Sequence, residues 1–194
     1  MAYSERLKKH FSNPNVLTMY RVFAIPGLVV LLLFPNRFTA FFAALIFSIA
    51  SITDALDGFF ARRLGLESSF GKVMDPVADK LLVSSAFIMM TSLGWVPAWI
   101  VCVIIGREIT ISALREWMAG IGERGKVAVI DVAKYKTLAQ MFGVAFMLHG
   151  KGNLLFGIPV YEFGLWLLVI AAGLTLWSMF VYLKDAWPKF TAEG

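Results

Sequence analysis

The sequence predicts an all-α integral membrane protein: six transmembrane helices preceded by a short N-terminal interfacial helix. Three observations predict it. Hydrophobic residues make up 59% of the 194 and charged residues 16%, whereas a soluble domain is about half apolar and about a quarter charged. Apolar runs at about 16–34, 38–61, 77–93, 95–114, 128–148 and 161–183 nearly fill the chain. Most of them approach or exceed the ~20 residues with which a helix crosses ~30 Å of hydrocarbon, and runs of this length exclude a barrel. So little sequence is left over that residues 1–194 are expected to form one domain with no soluble module.

The elements follow in order. SERLKKHF (4–11) sets Leu7 and Phe11 against Lys8 and Lys9, the pattern of a short helix lying in the membrane interface. Asn13-Pro14-Asn15 breaks it before the first span, and Pro35-Asn36 turns the first span into the second. The second span ends in a stretch rich in aspartate. Pro76 fits best in the first turn of a helix, so the third span is expected to start close by. Gly94-Trp95 joins the third span to the fourth. MAGIGERGK (118–126) and HGKGN (149–153) are the loops before the fifth and sixth. The six tryptophans fall mostly near span ends, where interfacial anchoring accounts for them.

Lysine and arginine set the orientation. With the N-terminus inside, the inner segments hold Arg6, Lys8, Lys9, Arg62, Arg63, Lys72, Arg124, Lys126, Lys184 and Lys189, while the outer loops hold only Arg37 and Lys151. Both termini therefore face the cytoplasm. The net charge of +5 is largely an inner-face charge. It favours anionic lipid and phosphate compounds, and no nucleic-acid partner is expected. Cys102 is the single cysteine, so there is no internal disulfide and no Cys/His metal set.

Asp54, Asp57, Asp75 and Asp79 are four of the 13 acidic residues, gathered in DALDGFFARRLGLESSFGKVMDPVADK. The first two are spaced i, i+3 at the inner end of span 2. The last two are spaced i, i+4 at the start of span 3, so each pair shares a helix face. A tight turn between the spans would bring the pairs together at the inner surface. Four such carboxylates repel one another unless protons or cations neutralise them. An all-oxygen donor set suits Mg²⁺, Mn²⁺ or Ca²⁺, and paired metals held by carboxylates recur in phosphoryl transfer. Gly58, Ala61 and Gly71 leave room for a ligand, and Arg62 is placed to reach a phosphate. Taken singly, each is as well explained by turns or by helix packing.

The stretch reads D-x2-D-G-x2-A-R-x8-G-x3-D-x3-D over Asp54, Asp57, Gly58, Ala61, Arg62, Gly71, Asp75 and Asp79. It resembles the signature of the CDP-alcohol phosphatidyltransferase family at all eight positions and every spacing. The resemblance implies a six-helix, usually dimeric membrane enzyme. Such an enzyme moves a phosphatidyl group from CDP-diacylglycerol to an alcohol and releases CMP. It further implies that Asp54, Asp57, Asp75 and Asp79 hold two divalent cations, Mg²⁺ or Mn²⁺, with Asp79 also the general base. Gly58, Ala61, Arg62 and Gly71 would line the cytidine diphosphate site, joined by Asn15 and Thr18 on the first span.

Charged residues inside spans point to the acceptor, since each is costly in lipid. Arg21 shares a face of span 1 with Asn15 and Thr18. Arg107 and Arg115 lie on span 4, and Lys134, Lys136 and Gln140 open span 5. Snorkelling, with pairing to Glu108 and Glu116, is the plain explanation; a cationic pocket for a second phosphate is the functional one. NPNVLTMYRV, IGREITISALREWMA, the K-x-K-T-x-A-Q-M pattern and LTLWSM are similar to segments of the family branch whose acceptor is sn-glycerol 3-phosphate. By that resemblance Arg107, Arg115 and one or both of Lys134 and Lys136 bind the acceptor phosphate, in a homodimer of the bacterial cytoplasmic membrane with its active site facing inward. Serine or inositol phosphate is the alternative acceptor. An ion-coupled transporter is the alternative class, disfavoured by aspartates at the surface and by the lack of a repeat.

Overall fold

A computed structural model describes residues 14–64, 69–120, 132–150, 154 and 157–190. Within its helices the side chains of 14–18, 54–64, 69–73, 75–76, 132–136, 185–186 and 188–190 lie outside the description. The predicted interfacial helix at 4–11 also lies outside the described residues. The fold is all-helical, with six described helices: α1 Pro14–Leu33, α2 Arg37–Leu64, α3 Ser69–Ser92, α4 Ala98–Gly120, α5 Val132–Leu148 and α6 Val160–Phe190.

Each apolar run falls on one helix, but helix ends and run ends differ. α3 starts at Ser69, not near residue 77, so Pro76 sits two turns inside it. Its missing N–H leaves the Lys72 carbonyl without its usual helical partner. α4 runs on to Gly120 and α6 to Phe190. A hydropathy run marks where hydrocarbon could begin, not where backbone hydrogen bonding stops, so helices extend past it.

Local chemistry fixes the turns. Pro14 is the first residue of α1, where a missing N–H costs nothing. Asn36 caps α2: its Oδ1 accepts from the Phe38 and Thr39 N–H groups at 2.9 and 3.0 Å, while Thr39 Oγ1 accepts from the Asn36 N–H at 2.9 Å. Gly94 adopts φ +68 at the end of α3, and the Trp95 N–H closes the turn on the Met90 carbonyl at 2.8 Å. The Tyr161 hydroxyl donates to the Trp95 carbonyl at 2.6 Å, tying the start of α6 to this turn.

One core runs through the bundle. Leu28 and Leu32 of α1 meet Phe47 of α2, Leu82 and Phe87 of α3, Ile104 of α4, Met147 of α5 and Leu168 of α6. α1 packs against both α2 and α3, which touch each other only marginally. α5 lies along α6, and α4 also packs on α6. A smaller cluster of Ile111, Leu114, Met118 and Tyr182 joins α4 to α6. Large apolar side chains also cover the outside: Phe38, Trp166 and Trp187 are each about two-thirds exposed or more. Among the described residues one stretch, Val160–Lys184, is long and apolar enough to cross a membrane; Met19–Leu33, Arg37–Thr53 and Thr137–Leu148 are shorter apolar stretches.

Glycine sets the α5–α6 contact. A Cβ built on Gly164 would lie 3.0 Å from the Gly143 carbonyl oxygen and 2.9 Å from Met147 Cγ. The obstacle is partly backbone and cannot rotate away. Gly173, also on α6, has open space where a Cβ would go. Gly164→Val is therefore expected to cost about 1–3 kcal/mol through overpacking. Gly173→Ala should be neutral or stabilise by up to ~1 kcal/mol through helix propensity. Thermal unfolding in detergent checks both, and equal midpoints for the two variants would contradict the close crossing.

Candidate active site

The four aspartates all stand on helical backbone, at matched depths. Asp54 and Asp57 precede the end of α2 at Leu64 by ten and seven residues, or about 15 and 10 Å of helix. Asp75 and Asp79 follow the start of α3 at Ser69 by six and ten residues, or about 9 and 15 Å. The four residues 65–68 separate the helices, so the two ends lie within about 18 Å of each other. The aspartates thus sit two to three turns inside their helices, deeper than a third span starting near residue 77 would put them. α1 packs against both α2 and α3, which also touch each other. The side chains of Asp54, Asp57 and Asp75 lie outside the described residues, as do those of Asn15, Thr18, Ala61, Arg62, Lys134 and Lys136. Gly58 and Gly71 are backbone positions on α2 and α3, thirteen residues apart.

Asp79 is described, and it borders a cavity. The space is about 370 Å³ between α3, α4 and α5. Its polar wall is Asp79, Lys80, Ser84, Glu108, Thr137 and Gln140, and the rest is aliphatic. Lys80 Nζ donates to Ser112 Oγ, and that hydroxyl donates to the Glu108 carbonyl at 2.7 Å. Lys80 thus pins α3 to α4 beside Asp79. Two carboxyl groups, Asp79 and Glu108, face one largely apolar space, where charge is poorly screened.

Glu108 links this cavity to Arg107. The Arg107 guanidinium is 7% exposed; Nη1 donates to Glu108 Oε1 at 3.2 Å and Nη2 to Ser178 Oγ at 3.1 Å. Ser178 passes the bond on to the Thr175 carbonyl at 2.9 Å. Tyr182 stands one turn further along α6, its ring centroid 6.0 Å from the Arg107 guanidinium and 5.8 Å from that of Arg115. Arg107 and Arg115, singled out in the sequence, are thus brought together around a tyrosine. The Glu108 pairing offered as the plain explanation of Arg107 is also present. Arg21 is buried on α1.

Thr175 and Ser178 lie in the LTLWSM segment, but neither they nor Tyr182 were given a role in the sequence. Their i, i+3, i+7 spacing through an apolar span, opposite two arginines, was the signal available. Among the described residues no three His, Cys, Asp or Glu side chains group to hold a metal. The signature supplies a purely carboxylate donor set at matched helical depths, chemistry that fits a hard divalent cation and not a thiolate or imidazole site.

The chain matches the family model for CDP-alcohol phosphatidyltransferase over residues 11–177. The chain belongs to the CDP-alcohol phosphatidyltransferase family. It is 44% identical over 178 residues to a protein of Shigella flexneri serotype 5b (strain 8401) named CDP-diacylglycerol–glycerol-3-phosphate 3-phosphatidyltransferase. Proteins of the same name from Shigella boydii serotype 4 (strain Sb227) and Escherichia coli (strain K12) are equally identical, and in each case the match covers 91% of this chain and 95% of the relative. As a CDP-alcohol phosphatidyltransferase the chain is a transferase of phospholipid synthesis, in a family that uses divalent metal ions.

Ser178→Ala would leave a buried guanidinium N–H without its acceptor. The expected cost is about 1.5–3 kcal/mol of stability, as for a hydrogen bond to a charged group. A thermal or chemical unfolding midpoint in detergent measures it. A midpoint equal to wild type would show that Ser178 does not hold Arg107.

Proposed function

We propose that the protein transfers the phosphatidyl group of CDP-diacylglycerol to sn-glycerol 3-phosphate, giving phosphatidylglycerol phosphate and CMP. The observation that carries this reading is the 44% identity, over 91% of the chain, to relatives named for that reaction. The full signature and the two arginines beside one another support it. Serine, which carries no phosphate, gives no reason for a buried Arg107.

The enzyme works as a single six-span domain in the bacterial cytoplasmic membrane, with both termini and the active site facing inward, and as a homodimer. The aromatic and aliphatic exterior supports a lipid surround, because a water-facing protein does not expose side chains such as Phe38, Trp166 and Phe180 together. The asymmetry of lysine and arginine supports the orientation.

Asp54, Asp57, Asp75 and Asp79 hold two divalent cations, Mg²⁺ or Mn²⁺. When bound, these neutralise charge on the pyrophosphate and on the departing CMP. Asn15, Thr18, Gly58, Ala61, Arg62 and Gly71 seat the cytidine diphosphate. Arg107, Arg115, Lys134 and Lys136 seat the acceptor phosphate. Asp79 accepts the proton of the acceptor's 1-hydroxyl. That oxygen bonds to the phosphorus carrying diacylglycerol, and the bond from this phosphorus to the CMP oxygen breaks, its electron pair leaving with CMP. The position of Asp79 beside a largely apolar cavity supports the role, since a carboxylate there is poorly screened and more basic than in water.

CMP release by purified protein with CDP-diacylglycerol and Mg²⁺ tests the reaction. Glycerol 3-phosphate should support it, and serine and inositol phosphate should not. Activity confined to another acceptor would refute the assignment of Arg107 and Arg115.

Asp79→Asn should lower turnover by about 10²–10⁴-fold, the range of general-base assistance. Wild-type turnover in that variant would remove Asp79 from the chemistry. Chelation should abolish CMP release and added Mg²⁺ or Mn²⁺ restore it, whereas Asp54→Ala with Asp57→Ala should stay inactive at the same metal concentration. Full activity of stripped protein in excess chelator would rule out the metal role.

A further inference from the structure

Tyr182 is 3% exposed and Thr175 0%, yet neither hydroxyl has a hydrogen-bond partner among the described residues. Arg107 Nε is likewise unsatisfied, although both terminal nitrogens of that guanidinium are engaged. Buried polar groups are nearly always satisfied, so the Tyr182 hydroxyl and the Arg107 Nε, orphans on the two sides of one contact, require an explanation. Both can donate: the guanidinium Nε–H only donates, and a hydroxyl donates through its O–H. What would satisfy them together is an acceptor with several oxygens.

Charge points the same way. Glu108 offsets Arg107, but Arg115 has no ion-pair partner among the described residues and rests only near the Tyr182 ring. Among the described residues the contact therefore holds one more cation than ion-paired carboxylate. Arg115 itself is exposed, whereas Ile111, Leu114 and Met118 are buried with Tyr182 and shield the Arg107 side of the contact. A multi-oxygen acceptor that also neutralises a cation is a phosphate.

We propose that Tyr182 is a phosphate-binding residue of the acceptor subsite: its ring braces the guanidinium groups of Arg107 and Arg115, and its hydroxyl donates to the phosphate that they hold. The proposal rests on the reading that these arginines seat the acceptor. The ring and the hydroxyl have separable parts. The ring face attracts both guanidinium groups and fixes their spacing before substrate arrives. The hydroxyl, which has no partner among the described residues, gains one on binding.

This gives Tyr182→Phe two signatures. The variant keeps the ring and removes only an oxygen. In the full-length protein, the KM for glycerol 3-phosphate should rise about tenfold or more, as for loss of a hydrogen bond to a charged group. The KM for CDP-diacylglycerol should move less than twofold, and kcat at saturating acceptor should fall far less than kcat/KM, because the lost contact is made in ground and transition state alike. The substrate-free unfolding midpoint should be unchanged or higher, because an unpaired buried hydroxyl has been removed. Tyr182→Leu, which loses the ring too, should raise the same KM further and lower the midpoint. An unchanged acceptor KM in Tyr182→Phe, or a lower midpoint with that KM unchanged, overturns the proposal and makes the hydroxyl a structural group. Wild-type protein that fails to use glycerol 3-phosphate at all would instead overturn the acceptor reading.

Discussion

A guanidinium with 7% exposure inside an apolar bundle has to be paired, and the packing of α4 on α6 is arranged around that requirement. Arg107 points one terminal nitrogen along its own helix to Glu108 and the other across to Ser178. Ser178 can accept because its own proton is turned back to the Thr175 carbonyl. Breaking such an arrangement on one side leaves a charge stranded, which is far more costly than never having built it. Helix register follows: Arg107, Ile111, Leu114 and Met118 form one stripe of α4, and Thr175, Ser178 and Tyr182 form the stripe of α6 that meets it. The apolar members exclude water and the polar ones use its absence.

The same cost governs the aspartates. Carboxylates two to three turns inside helices of an apolar bundle are stable as anions only with cations among them. Here they occupy α2 and α3 at nearly equal distances from the connection between those helices, while α1 packs against both. The helices therefore act as rulers, with depth set by residue count and not by a flexible loop. Cavity and arginine pair connect to the same end through Glu108, whose carboxylate borders the space beside Asp79 and also binds Arg107. A single helical step on α4, from residue 107 to 108, carries the change from buried, paired guanidinium to cavity wall.

Much of this was legible in the sequence. The aspartate pattern gave the family from eight residues, and six apolar runs gave six helices, because burial and chemistry each leave a periodic trace. The helix limits were less legible. Ser69 to Asp75 is polar and glycine-bearing, and nothing in its hydropathy says that α3 already runs through it. Pro76 added to the difficulty, since its preference for a first turn is real but is outweighed here by the continuing helix. Tyr182 was hidden for a different reason. An aromatic residue near a span end reads as an interfacial anchor, and composition alone cannot say whether its ring faces lipid or a neighbouring helix. Only the placement of Arg107 and Arg115 beside it separates the two.

The α5–α6 crossing brings two helix backbones close together. In a lipid surround helices would gain little by hiding aliphatic surface, and close backbone approach would have to supply the cohesion. Gly143 and Gly164 permit that approach: each would place a Cβ within about 3 Å of the other's carbonyl oxygen. The contact fixes α6 relative to α5 in the half of the bundle near Met147 and Leu168. From there α6 runs on as one helix to Phe190, carrying Thr175, Ser178 and Tyr182 past α4. α5, held by the same crossing, brings Thr137 and Gln140 to the cavity wall opposite Asp79. A glycine contact that bears no charge thus sets the spacing between the cavity at Asp79 and the cationic cluster at Tyr182, the two places where the donor's phosphorus and the acceptor's phosphate would have to be held at once.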